Sequence, residues 1–141
     1  MGKKFKGGGG KFVQLYHSYL NEWTRHGLSC GARALMVELI RRYNSGNNGR
    51  IYLPTREAAN ALCVSRNSVA KYYRELAACG FIVETKGAAL GVDGTGRASE
   101  WRLTHLKCDE KTPTMEYRKT KPRPKICAAP AQKMSQGSGN D

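Results

Sequence analysis

The sequence predicts a mainly α-helical domain with a small β-hairpin, flanked by basic, disordered N- and C-terminal tails. Apolar residues recur at helical spacing in successive segments between residues 12 and 79. Two strand-like segments, 81–85 and 99–105, then flank a glycine-rich stretch with no helical period. Beyond residue 107 the apolar pattern gives way to prolines and clustered lysines. The expected boundaries are therefore an arm over 1–11, a folded domain over 12–107 and a tail over 108–141.

The arm ends in Gly7-Gly8-Gly9-Gly10, too much glycine for it to order itself. Gly10-Lys11 invites a phosphate-loop reading, but that motif needs Gly at position 5 and Ser or Thr at position 12, where this chain has Phe5 and Phe12. Residues 12–26 place Leu15, Tyr16, Tyr19, Leu20 and Trp23 at helical spacing, and Gly27 is a natural stop. Ser29 caps the next helix. Its stripe of Ala32, Leu35, Met36, Leu39, Ile40 and Tyr43 is the strongest periodic signal in the chain. Arg41 and Arg42 occupy its last turn, where cations suit the negative end of the helix dipole. Asn44 to Gly49 is turn chemistry. Arg50 to Leu53 reads as a short strand with Ile51 and Leu53 on one face.

Thr55 to Leu62 forms a short helix with Ala58, Ala59 and Leu62 on one side. Cys63 and Val64 interrupt it. Ser65, a good N-cap, opens a second helix with Val69, Tyr72, Tyr73 and Leu76 spaced i, i+3, i+4, i+7. Gly80 is a natural residue to follow its end. Two short helices joined by a tight turn predict a helix-turn-helix. Away from the apolar face lie Arg66, Asn67, Ala70, Lys71 and Arg74, three cations and an amide with no acid among them. Such a face suits the major groove, where Arg and Lys read guanine and Asn reads adenine. The hairpin that follows turns Trp101 and Leu103 inward. Lys86 and Arg97 flank its base, within reach of phosphate or the minor groove. Its loop, Gly91-x-x-Gly94-x-Gly96, fails the dinucleotide-binding pattern.

A net charge of +13 over 141 residues favours polyanionic partners, nucleic acid before anionic membrane. Much of that charge lies in the arm and the tail, where Lys119, Lys121, Arg123 and Lys125 cluster. Sequence-independent attraction to phosphate follows. The five cysteines are odd in number and show no CxxC spacing, so they read as reduced, small hydrophobes. His17 and His26 stand alone. No nucleophile–base pair or metal-ligand spacing points to an enzyme, and no cofactor is expected. No apolar run approaches the roughly 18 residues of a membrane span. Lys3, Lys4 and Lys6 are followed by glycines where a signal peptide needs an apolar stretch.

Residues 28–105 resemble a winged helix-turn-helix domain. Leu53-Pro54-Thr55, followed by Leu62-Cys63-Val64-Ser65-Arg66-Asn67-Ser68-Val69, is similar to the GntR-type transcription regulators. In that family a Ser-Arg pair opens the recognition helix; here Leu76 and Gly80-Phe81 match the helix end and the wing strand. The longer pattern from Ala32 to Gly49 resembles small helix-turn-helix proteins of bacterial, plasmid and prophage origin. Three departures stand out. Ala70 replaces the usual Arg, Cys63 replaces the usual turn Gly, and the stretch from Pro54 to Ser65 is one residue short. No effector domain of the GntR kind follows. The resemblance implies sequence-specific binding of double-stranded DNA through Thr55, Ser65, Arg66, Asn67, Ser68, Lys71, Arg74, Lys86 and Arg97. The implied use is transcriptional regulation; control of plasmid or phage replication or partition, and a protein-interaction module, are the alternatives. A cytoplasmic, nucleoid-associated location goes with it, a homodimer is left open, and no membrane contact is expected.

Overall fold

The strongest apolar stripe builds the centre of the molecule. Ala32, Leu35, Met36 and Leu39 are each fully buried in the computed structural model, which describes residues 10–90 and 96–121. They lie on α2 (Cys30–Arg41), preceded by α1 (His17–Arg25). The short strand β1 (Ile51–Tyr52) leads into α3 (Thr55–Leu62) and α4 (Arg66–Ala78). Strands β2 (Ile82–Lys86), β3 (Ala89–Leu90), β4 (Gly96–Arg97) and β5 (Glu100–Leu103) follow, then a turn of 3-10 helix at Glu116–Arg118. The result is a small mixed α/β domain in which α2, α3 and α4 pack together and α4 also meets the sheet.

The sheet is antiparallel with strand order β1-β5-β2, so the expected hairpin of β2 and β5 gains a third strand. Ile51 pairs with Trp101, and Ile82 with Leu103. Ile51 and Leu53 face inward as expected, and so do Trp101 and Leu103. Beyond a bulge between Glu84 and Lys86 the hairpin continues as the small β3–β4 ladder. The class thus shifts from mainly α to mixed α/β. A two-residue strand carries too little pattern to declare its partner.

Caps and buried polar groups fix how the elements meet. The Ser29 hydroxyl accepts from Ala32 N–H at 3.2 Å, capping α2. Glu75 of α4 reaches across to the same point, where its carboxylate accepts from Ser29 N–H at 2.7 Å and from Ser29 Oγ–H at 2.9 Å. Its remoteness in sequence hides this contact from any local reading. Asn48 is buried and holds the turn after α2 to the end of the sheet. Its side-chain Oδ1 accepts from Leu103 N–H at 2.7 Å, and its side-chain Nδ2 donates to the carbonyls of Leu103, Leu106 and Lys107.

Two expected boundaries move. Helix α1 begins at His17 and not at residue 12, because Tyr16 is extended (φ −81°, ψ 143°). From Phe12 to Tyr16 burial alternates, with Val13 and Leu15 half-buried between exposed neighbours. That is the period of an extended chain and not of a helix. At the other end, the chain stays on the domain past residue 107. Tyr117 is 3% exposed, and its ring stacks on Phe81 at 4.9 Å. Arg25 donates to the Tyr117 carbonyl at 3.0 Å, and His26 Nε2 lies 2.7 Å from it. Arg102 pairs with Glu116 at 2.8 Å. Burial works to raise the Glu116 pKa, but hydrogen bonds from Thr114 and Arg102 outweigh it and hold the carboxyl below its ordinary range. Gly80, at φ +82°, makes this docking possible, since a Cβ there would stand 2.8 Å from the backbone of Glu116 and Tyr117. The docked chain therefore reaches at least Thr120, whose hydroxyl donates to the Glu116 carbonyl at 3.0 Å. Of the arm expected over 1–11 and the tail expected over 108–141, residues 1–9 and 122–141 lie outside the described residues.

Candidate nucleic-acid interface

Helix α4 starts where the sequence places it, and the turn before it is strained. Cys63 ends α3 in the left-handed region (φ 57°, ψ 42°). Ser65 is extended, and its hydroxyl accepts from Ser68 N–H at 3.2 Å. The Ser65 and Ser68 hydroxyls also lie 3.0 Å apart, so the two expected phosphate ligands hold each other at the helix start.

The apolar side of α4 is anchored by Val69, Tyr73 and Leu76. Tyr73 donates its hydroxyl to the Leu53 carbonyl at 2.7 Å and stacks on Trp101 at 5.0 Å. Burial pushes its phenol pKa up, so the hydroxyl stays a donor. With that side fixed, Arg66, Asn67, Lys71 and Arg74 are all exposed. Among the described residues, none of these three cations pairs with a carboxylate. The acid of this helix, Glu75, is turned inward onto Ser29. The outward face of α4 is therefore cationic without an acid to neutralise it.

Arg41 and Arg42 behave differently. Both pair with Glu38, and Arg42 also reaches Glu57 of α3 at 3.0 Å. Arg42 thus braces α2 against α3, while Arg41, largely exposed, pairs only within α2.

Thr55 is the first residue of α3 and is half-buried. It lines a groove of about 430 Å³ together with Ala70 and Arg74 of α4 and with Glu84 and Ser99 of the hairpin. Tyr73 and Trp101 also line it. Thr55 and Arg74 are thus brought together, 19 residues apart in sequence. Glu84, an acid in that groove, was not among the expected site residues, although it stands where β2 leaves the core. Lys86 is exposed at the end of β2, paired in register with Glu100, and Arg97 lies in β4 opposite Ala89. Both belong to the hairpin and not to the helical face.

No family model, curated protein or solved structure matches this chain. The geometry therefore stands by itself. Among the described residues, no group of three His, Cys, Asp or Glu side chains could hold a metal ion. No described helix is long and apolar enough to cross a membrane.

Proposed function

We propose that this domain is a winged helix-turn-helix that binds double-stranded DNA sequence-specifically and regulates transcription by occupancy. In this reading α4 lies in the major groove. Arg66 and Asn67 read base edges, while Lys71 and Arg74 meet bases or backbone along the same groove wall. Ser65, Ser68 and Thr55 meet phosphate, and the β2–β5 hairpin is the wing that carries Lys86 and Arg97 to the adjoining backbone. The observation that carries the proposal is the outward face of α4, where four exposed polar residues stand with no acid of their own helix among them. Burial of Glu75 supports it, since an exposed carboxylate at that level would repel the phosphates on either side of the groove. A protein-interaction surface would have no need for such a one-sided charge.

Binding-site selection on the wild type, Arg66→Ala and Lys71→Ala tests it. Arg66→Ala is expected to cost about 1–3 kcal/mol on the best site and to relax preference at one base position. Lys71→Ala is expected to weaken all sequences alike and to lower the salt slope by about one unit. If both folded variants bind every duplex as the wild type does, α4 is not the reading head.

A further inference from the structure

Ala70 interrupts the polar face of α4. It lies four residues after Arg66, three after Asn67 and four before Arg74, so all three border it on the surface of the helix. Those neighbours are exposed, whereas Ala70 is half-buried. Its short side chain leaves a notch between long polar ones. On the hairpin side Ala70 also lines the groove of about 430 Å³, where Ala77, Ala88 and Ala98 extend the apolar wall.

An alanine methyl neither donates nor accepts a hydrogen bond. A polar base edge pressed against it loses water and gains no partner. The apolar group that the major groove offers is the C5-methyl of thymine, and alanine is among the side chains that contact it. We infer that Ala70 is a specificity-determining residue of α4, and that the notch between Arg66, Asn67 and Arg74 takes the C5-methyl of one thymine. The inference rests on the DNA reading of α4 and adds a base to it. Four residues of helix advance about 6 Å, close to two base-pair steps of about 3.4 Å each. The thymine therefore lies about two base pairs from the base that Arg66 reads.

The test uses the full chain and the duplex that binding-site selection yields. Each thymine of that duplex is replaced singly by uracil, which removes the methyl and keeps every hydrogen-bonding group. Fluorescence anisotropy reads the affinity. One thymine is expected to be sensitive, with a loss of about three- to fivefold, the scale of one buried methyl group. Its expected place is about two base pairs from the position where Arg66→Ala relaxes preference. In Ala70→Gly the ratio of thymine to uracil affinity is expected to fall towards unity. Both duplexes meet the same protein, so any loss of helix stability cancels from that ratio. Ala70→Arg fills the notch with donors and is expected to select guanine in place of thymine there, with melting curves to check that it is folded. A preferred duplex with no thymine at that distance, or one that binds equally with uracil throughout, overturns this inference and leaves the DNA reading standing. So does a uracil effect that Ala70→Gly retains, or a selection by Ala70→Arg that keeps thymine. If no duplex is preferred over another, the DNA reading itself fails and the thymine contact with it.

Discussion

Cys63 occupies a backbone conformation that costs a residue with a Cβ about 1 kcal/mol or more. Its thiol recovers little, with only a 3.8 Å contact to the Asn60 carbonyl. Cys63→Gly is expected to stabilise the fold by about 0.5–1 kcal/mol, because relief of strain exceeds the added freedom of the unfolded chain. Chemical denaturation measures it; a loss of stability would show that the thiol compensates for its backbone. His105 carries a second consequence. Its ring stacks on Tyr19 at 4.0 Å, and burial lowers its pKa from 6.5 to about 4. The unfolded chain then binds the proton more readily than the folded one. Stability is full above pH 6.5 and falls as the pH drops from there towards 4, by up to about 3 kcal/mol. His105→Phe keeps the stack and should flatten this dependence in melts run across that window. At this scale the sequence was legible where the partner is local. Ser65 caps a helix whose N–H lies three residues on, and its role follows from position alone. Glu75 was opaque because its partner, Ser29, lies 46 residues away.

The elements tell the same story in a different way. Helix α2 could be read residue by residue, since an amphipathic stripe depends only on spacing. Helices α3 and α4 followed for the same reason, with Gly80 ending the run as expected. Strand pairing was less legible. The partner of β1 lies beyond α3 and α4, and nothing in Ile51–Tyr52 names Trp101. The groove shared by Thr55, Arg74 and Glu84 depends on that pairing and was hidden with it. Interlocking of α2 and α4 rests on Glu75. Glu75→Ala removes two hydrogen bonds to a buried charged acceptor and is expected to destabilise by about 2–4 kcal/mol. In a double-mutant cycle with Ser29→Ala the two effects should be less than additive, because both remove the bond from the Ser29 hydroxyl while the Ser29 N–H bond is lost only with Glu75. Strict additivity would show that the hydroxyl bond contributes nothing.

At the scale of the molecule, the fold reaches past its last periodic segment. The unit closes only when Tyr117 covers Phe81, at a position that no periodicity marks. A single tyrosine among polar and charged neighbours reads as tail, and only the tertiary fold reveals the ring beneath it. A fragment over 12–121 is therefore expected to melt close to the full chain. A fragment over 12–107 is expected to lose about 3–5 kcal/mol, the scale of deleting a buried aromatic. Equal melting temperatures for the two fragments would show that the segment 108–121 adds nothing to the core.

The same docking sets an order in time. A ribosome delivers the chain from its N-terminus at about 5–20 residues per second. Helices α1 to α4 and the sheet emerge while Phe81 still faces solvent on one side, since its cover has yet to be synthesised. For those seconds the nascent chain presents an open aromatic surface bounded by Tyr19 and Phe81. The cationic side of α4 needs no such cover, so the protein's charged surface is ready before its interior is closed.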